Sequence, residues 1–353
     1  MKGRFVLFPH MGFALLALFF GLWAGLLRLG WAFPTFPSLG LMHGPLMVSG
    51  FLGVLIPLER AVALRQGWMF FAPLFSGIGW ITLLVVPTVG IPLMVLGSLG
   101  MLAILWVMWR REPKLHTFTL LLGGVTWVGG NLLWWLGRPI FQVVFWWMAF
   151  LLLTIAGERL ELQRVLRPLG KERDIFSALV GLLLLATLLG LFNQQLASRL
   201  IGLVFLALTL WFARFDLAIR NLRHPSPLTR YIAIALASGF GWLGISGILF
   251  LRYGAVYAGP LYDAALHGFF VGFVFAMIFG HALLIFPAML GRQAQFFKLL
   301  YLPLALLHAS LVLRILGDIS FHHAFRQWGG LLNAVVILLF FGLMASSFLL
   351  RRR

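Results

Sequence analysis

The stretch LMHGPLMVSGFLGVLIPLERAV, residues 41–62, carries one histidine in an otherwise apolar, glycine-rich run and ends in an adjacent acid and base. Such a run is close to the roughly 20 residues that a helix needs to cross the core of a bilayer. The stretch therefore predicts a membrane-spanning helix. It also raises the question of why an imidazole, that of His43, is kept in an apolar segment, where a polar group needs a bonding partner.

Runs of the same character fill most of the chain. Of its 353 residues, 62% are hydrophobic and 10% are charged, whereas about a quarter of the residues of soluble proteins are charged. The short alternating strands typical of membrane barrels are absent from the sequence. The first apolar run, residues 5–27, has no small-residue cleavage site after a short apolar core and is interpreted as a first span. The predicted fold class is all-α, a polytopic membrane helical bundle.

Twelve transmembrane helices are predicted within a single integral membrane domain, residues 1–353. Glycine and proline mark the tightest divisions between helices, at 86–87 and 137–139. The predicted helices are 5–29, 40–64, 68–87, 90–109, 116–137, 139–157, 175–192, 196–215, 229–251, 261–290, 296–316 and 328–350.

Basic residues test this topology, because cytoplasmic loops hold an excess of Lys and Arg. The chain has 27 of them and a formal net charge of +18. The protein is expected in the inner (cytoplasmic) membrane, with both termini in the cytoplasm. The positive charge is expected to contact membrane lipids and not nucleic acid. Six of the 27 fall on the outer side, and the remaining 21 fall on the side of the N terminus; the six are Arg28, Arg138, Arg199, Arg252, Arg314 and Arg326.

Histidine is the expected ligand for any metal that this chain binds. Cysteine is absent, which excludes disulfides and cysteine-ligated metals. His43 lies near the outer end of helix 2 and His267 near the outer end of helix 10, so two imidazoles at matched depth are candidates for both axial ligands of a heme iron. The simpler alternative for each is an interfacial polar group. The glycines at 44, 50, 53, 268 and 272 leave space for a flat macrocycle or for a neighbouring helix.

Two charged residues are candidates for supporting roles near the predicted heme. Asp263 precedes His267 by four residues, which places it on the same helix face to orient the second ring nitrogen. Its alternative is a solvated acid at the helix start. Arg314, at the outer end of helix 11, is a candidate for a heme propionate, because a guanidinium binds carboxylate bidentately. Snorkelling to the interface is the competing explanation for Arg314.

Three further histidines are weaker candidates for metal ligands. His281 follows His267 by fourteen residues, about 21 Å along a helix, a spacing that resembles the paired histidines of two-heme membrane cytochromes b. The matching position on helix 2 is Pro57, which removes the fourth ligand of such an arrangement. His10, in helix 1, is a candidate partner of His281, and His308, in helix 11, is a candidate for a further ligand or a polar contact.

Other polar groups are expected to lie at helix ends. Glu59-Arg60 and Glu158-Arg159 end helices 2 and 6 and are expected to anchor them by local ion pairing. A role in proton or substrate entry is the alternative. No Asp, Glu, Lys or Arg lies deep in a predicted helix, which argues against an ion-coupled transporter, since coupling sites need such groups near the midplane. The histidines expected in solvated edges or a wet outer loop are His116, His224, His322 and His323.

Two segments resemble known families of membrane proteins. HGPLMVSGF, starting at His43, resembles the His-Gly-x-x-Met pattern of helix 2 in heme–copper oxidase subunit I, whose histidine ligates the low-spin heme. LHGFFVGFVFAMIFGHALLIFPAMLGR, residues 266–292, resembles the tenth helix of the NnrS family, twelve-helix relatives of that subunit linked to nitric oxide stress. The resemblance implies heme, with copper as a further candidate metal, and places the family's histidine and its GH and GR pairs at His267, Gly280-His281 and Gly291-Arg292.

The departures from the oxidase pattern limit what the resemblance implies. Helices 6 and 7 contain no histidine, although the oxidase copper needs histidines there, so oxygen-reducing activity is not expected. The leading hypothesis is a heme-binding NnrS-like membrane protein with a role in nitric oxide response or in electron transfer to a redox partner. The alternative is a heme-free membrane carrier or assembly factor on the same scaffold. The sequence leaves open whether the protein is catalytic.

Overall fold

The computed structural model describes residues 2–36, 39–164 and 170–348. Every regular element in these ranges is helical, and no strand occurs among them. The predicted all-α class is confirmed. The charged loop after the sixth predicted helix and the end of the twelfth fall partly on 165–169 and 349–350, outside the described residues.

Twelve long helices follow one another along the described chain, separated by short connections. A short helix, Leu217–Arg220, lies between the eighth and the ninth. The long helices are α1 (Lys2–Arg28), α2 (Leu39–Leu64), α3 (Gly67–Val85), α4 (Pro87–Arg111), α5 (Leu115–Trp135), α6 (Ile140–Arg164), α7 (Lys171–Leu189), α8 (Gln194–Phe215), α9 (Pro227–Tyr253), α10 (Pro260–Leu290), α11 (Lys298–Ile319) and α12 (His323–Ser347).

Ten of these helices are long and apolar enough to cross a membrane. The two others in the described ranges are α5 and α7, with 21 and 19 residues. At 1.5 Å per residue they are about 32 and 29 Å long, close to the ~30 Å of a hydrocarbon core. α5 carries His116 and Asn131, and α7 opens with the charged sequence KERD, which lowers the mean hydropathy of both. A multi-pass membrane protein is therefore the class that the helices support.

Local sequence explains where several helices begin. Pro87, Pro227 and Pro260 open α4, α9 and α10, positions that suit proline because the first turn leaves its N–H groups unbonded. Asn193 and Ser226 precede α8 and α9, and their side-chain oxygens accept hydrogen bonds from main-chain N–H groups in the first turn. These caps satisfy donors that have no partner inside the helix.

The chain divides into two compact units, Met1–Glu158 and Arg159–Arg353. We refer to them as unit 1 and unit 2 and describe each by itself. Unit 1 contains α1 to α5 and most of α6. Unit 2 contains the end of α6 and α7 to α12. The prediction of a single membrane domain stays a prediction.

Aromatic stacking and close glycine contacts form the core of each unit. In unit 1, Trp127 stacks on Phe150 with ring centroids 4.8 Å apart. In unit 2, Phe212 stacks on Phe240 at 4.6 Å. A Cβ at Gly202 of α8 would lie 2.6 Å from the main-chain oxygen of Gly247 on α9, so these backbones touch. Such packing through small residues is how helices associate in lipid, where burying apolar surface gives little driving force.

Candidate functional site

Each of the two main candidate histidines lies directly before, or close to, a π-helical segment. In α2, His43–Pro45 is α-helical and Leu46–Leu52 is a π-helix. In α10, the α-helical part ends at His267 and the π-helix is Gly268–Phe275. π-helical turns inside α-helices are rare and are frequently found at functional sites. A π-helical segment therefore lies near His43 in unit 1, and another follows His267 in unit 2.

The imidazole of His43 is held by helix α1. Its Nδ1–H donates to the main-chain oxygen of Gly21 at 2.7 Å. A Cβ on Gly25 would lie 2.9 Å from both Cε1 and Nδ1 of this ring. Two glycines one turn apart on α1 therefore supply the acceptor and the space that place the ring, and the proton on Nδ1 leaves the lone pair on Nε2.

His267 has the same tautomer through a different partner. Its Nδ1–H donates to the main-chain oxygen of Asp263 at 2.8 Å. The four-residue spacing predicts a contact through the Asp263 carboxylate, but the hydrogen bond is made by the main-chain carbonyl, because helix geometry places the carbonyl four residues back beside the ring. His281 repeats this contact with the main-chain oxygen of Met277 at 2.9 Å. Both residues therefore present the lone pair on Nε2.

His308 is held as a polar contact. The indole Nε1–H of Trp242 donates to its Nδ1 at 2.9 Å, and its Nε2–H donates to Ser238 Oγ at 2.9 Å. Both ring nitrogens are thereby engaged, which favours the polar-contact alternative over a metal ligand. His10 is buried, with 5% of its surface exposed, and its ring meets the rings of Phe13 and Phe70 edge-on.

The carboxylate of Asp263 belongs to a buried cluster of two acids and two bases in unit 2. It forms ion pairs with Arg314 at 3.6 Å and with Arg326 at 3.3 Å. Arg326 Nε also donates to Asp318 at 2.5 Å. Arg314 is 7% exposed and the side chain of Asp263 is 19% exposed, so neither the snorkelling of Arg314 nor a solvated Asp263 is favoured.

Two atoms of this cluster retain bonding capacity. Within the described residues, Nε of Arg314 and Oδ2 of Asp318 have no hydrogen-bond partner. Burial of an unmatched charged atom is costly. The Nε–H of Arg314 is therefore a donor that a carboxylate ligand could accept from.

The glycines predicted to leave space for a macrocycle or a helix are occupied by protein neighbours. A Cβ on Gly53 would contact the indole of Trp127, one on Gly50 would contact Trp80 and Ala17, and one on Gly44 would lie 3.7 Å from Trp147. In unit 2, Gly272 lies against Trp242 and Gly268 against Ser246. The structure therefore supports the neighbour-packing alternative for all five.

The pair Glu59-Arg60 makes a local and a long-range contact, and the pair Glu158-Arg159 makes long-range contacts. Arg60 donates to Glu158 and lies 3.9 Å from Glu59. Arg159 makes a bidentate pair with Asp216, Nε to Oδ2 at 2.8 Å and Nη2 to Oδ1 at 2.7 Å. The predicted local pairing is thus supplemented by a carboxylate from another helix or loop in the same unit, because a buried guanidinium needs partners for its donors.

The other histidines differ in exposure. His116 is 3% exposed and lies 3.7 Å from Glu112, so its predicted solvation is wrong: the first turn of α5 is covered by the packing of unit 1. His224 is partly exposed. His322 and His323 are exposed, and His322 precedes α12 and accepts from the main-chain N–H of Phe325 at 3.4 Å.

No group of three or more metal-binding side chains occurs in the part of the chain that the structure describes. The pairings of His43 with His267 and of His10 with His281 join residues of different units, and both stay predictions. Residues 4–349 match the family described as "Domain of unknown function (DUF8744)". The chain belongs to this family. No curated protein matches it.

Sequence reasoning missed two sets of residues in this DUF8744 member. The first is Gly21 and Gly25, for which the GLWAG sequence of α1 was a usable signal, since small residues four apart share a helix face. The second is a buried polar network beside the π-helix of α2. Ser49 Oγ donates to Asn131 Oδ1 at 2.9 Å, and the indoles of Trp127 and Trp147 donate to Ser49 and Asn131 at 3.2 and 3.0 Å.

Proposed function

We propose that the protein is a heme-binding multi-pass membrane protein resembling the NnrS family. The observation that carries the proposal is the shared tautomer of His43 and His267. In each, Nδ1–H is bonded to a main-chain carbonyl and the lone pair is on Nε2. This arrangement is typical of histidines that ligate metals, because the bonded N–H fixes the orientation of the ring and raises its basicity.

The chain's own residues have distinct tasks in this proposal. His43 and His267 would hold the heme iron, and Gly21 and the main chain of Asp263 orient their rings. Arg314 binds a propionate, supported by its buried guanidinium and by its Nε, which has no hydrogen-bond partner among the described residues. Bound heme supplies an iron that exchanges one electron or binds a gas such as nitric oxide. Copper is a further candidate metal. His281, with His10 as its candidate partner, is a weaker candidate for a metal ligand.

We propose twelve spans, with α5 and α7 added to the ten apolar ones and both termini in the cytoplasm, in the inner membrane. The lengths of α5 and α7 and the excess of Lys and Arg on one side of this arrangement support the proposal. In this arrangement, the cluster of Asp263, Arg314, Asp318 and Arg326 lies at the outer ends of α10, α11 and α12. A redox partner would then approach from a loop side, since the spans face lipid.

An optical spectrum of the purified protein tests the heme assignment. We expect a Soret band in the wild type after heme supplementation. The band is expected to be lost in His43→Ala and in His267→Ala, and retained in His322→Ala, an exposed histidine that serves as the matched control. No Soret band in the supplemented wild type would contradict the proposal. A six-coordinate spectrum that nitric oxide does not change favours electron transfer over gas chemistry.

The second candidate function is a heme-free membrane carrier or assembly factor. The observation that favours it is that tryptophans and neighbouring helices fill the space beside the glycines at 44, 50, 53, 268 and 272. A macrocycle would have to use other space beside the histidines. Absence of both heme and copper from protein purified from its native membrane, together with no Soret band after supplementation, would favour this function.

A further inference from the structure

Residues of α4 and α5, together with Trp68 at the start of α3, line a groove on the surface of unit 1. Its volume is about 520 Å³, and eight side chains line it, all apolar. Its walls include the indoles of Trp68 and Trp106, 42% and 49% exposed. Ala103, which has a small and exposed side chain, also lines the groove. The volume is within the range of sites for small ligands, ~300–1,000 Å³, and the lining excludes a polar ligand.

One end of this groove is basic. Leu99, Ala103, Trp106 and Arg110 are spaced four, three and four residues apart on α4, which places them on one face of the helix. Arg110, Arg111 and Lys114 are exposed at the connection from α4 to α5. They outnumber the one carboxylate there, that of Glu112. An amphiphile with an apolar tail in the groove would therefore place an anionic head among three cations.

The depth of the groove matches one leaflet of a bilayer. Its lining on α4 extends from Val107 to Leu99, which is about 6 to 18 Å from Arg111 along the helix axis. Half of a hydrocarbon core is about 15 Å thick. Trp68 marks the boundary, because its Nε1–H donates to Gln66 at 2.9 Å while its ring lines the groove. Tryptophans are enriched at this level of membranes for the same reason.

We propose that this groove is a binding site for an anionic phospholipid, with one acyl chain between α4 and α5 and the phosphate on Arg110, Arg111 and Lys114. The charge of the groove's end selects an anionic over a zwitterionic head group, because the latter carries a compensating cation. The site is independent of heme, and its lining residues all belong to unit 1.

Native mass spectrometry of the purified full chain tests the site, with phosphatidylglycerol and phosphatidylcholine offered in equal amounts. We expect the wild type to retain phosphatidylglycerol over phosphatidylcholine by roughly tenfold or more, given three cations at the head group. Ala103→Trp, which fills the groove, and the triple variant Arg110→Gln, Arg111→Gln, Lys114→Gln are both expected to lose this preference.

Two controls distinguish lipid binding in the groove from general contact of the protein with lipid. The triple variant Arg214→Gln, Arg220→Gln, Arg223→Gln removes three exposed cations near the end of α8 and is expected to keep the preference. Leu210→Trp, at a 70% exposed position of α8, is also expected to keep it. Equal retention of the two lipids by the wild type would overturn the proposal, and so would equal losses in the two triple variants. If Ala103→Trp does not fold, the exposed triple variants still decide the outcome.

Discussion

His43 and Gly25 are in contact across two helices of unit 1: a Cβ on Gly25 would lie 2.9 Å from the imidazole of His43. The same imidazole donates to Gly21, one turn earlier on α1. The ring is therefore confined by a surface that only glycine provides. This relationship gives the position of His43 a structural cause that does not depend on what the ring ligates.

Gly25→Ala is expected to displace the His43 ring and to destabilise the protein by about 1–3 kcal/mol, the usual cost of overpacking. Gly12→Ala is the matched control, since a Cβ on Gly12, also on α1, meets nothing within 4 Å. That change is expected to be neutral or to stabilise the helix by up to about 1 kcal/mol. Thermal unfolding in detergent measures both, and equal Tm values for the two variants would contradict the confinement of His43.

The indole N–H groups around the π-helix of α2 differ in their partners. Trp127 donates to Ser49, whereas Nε1 of Trp80 has no hydrogen-bond partner within the described residues. Trp127→Phe is therefore expected to cost about 1–3 kcal/mol, and Trp80→Phe is expected to cost less, because it removes an unmatched donor. Unfolding in denaturant compares the two variants. A larger loss in Trp80→Phe would mean that ring packing, rather than the polar network, stabilises this segment.

Removing one partner of the buried pair Arg159–Asp216 leaves an unmatched charge. The two side chains are 6% and 1% exposed, so Arg159→Met is expected to destabilise the protein by about 3–5 kcal/mol. The double variant Arg159→Met, Asp216→Asn is expected to recover part of this loss, since Asn keeps an oxygen for the main-chain N–H of Ala218 that Asp216 now caps.

The exposed pair Arg173–Asp174 serves as the control for this measurement. Its side chains are 60% and 75% exposed, and Arg173→Met is expected to change stability by no more than about 1 kcal/mol. Tm values of the variants decide the comparison. A double variant that is less stable than Arg159→Met alone would show that the charge of Asp216 is not what destabilises the single variant.

The number of spans is testable with single cysteines, because the chain has none of its own. If α5 spans the membrane, Arg111→Cys and Arg138→Cys, on either side of it, are labelled from opposite faces by an impermeant maleimide. If α7 spans, Lys171→Cys and Phe192→Cys behave in the same way. All four positions are exposed. Labelling of both members of a pair from one face would remove that helix from the proposed twelve.

Helix positions were largely predictable, because long apolar runs interrupted by Pro and Gly have few other structures available in lipid. The predicted range 40–64 became α2, residues Leu39–Leu64, and 261–290 became α10, Pro260–Leu290. The π-helical segments inside them were not predicted. A π-helix has no distinctive composition, and its side chains take partners far along the chain, as Ser49 does with Asn131, 82 residues away.

The sequence by itself determined the all-α class and the histidines and charges available for chemistry, since composition and periodicity are local properties. Only the tertiary structure decided which partner each polar group takes. Arg60 pairs with Glu158 as well as with Glu59. Trp242 and Ser238 bond to His308, and Asp263 pairs with Arg314 and Arg326. These choices depend on which helices are adjacent, and a buried charge or imidazole selects the partner that packing brings within hydrogen-bond distance.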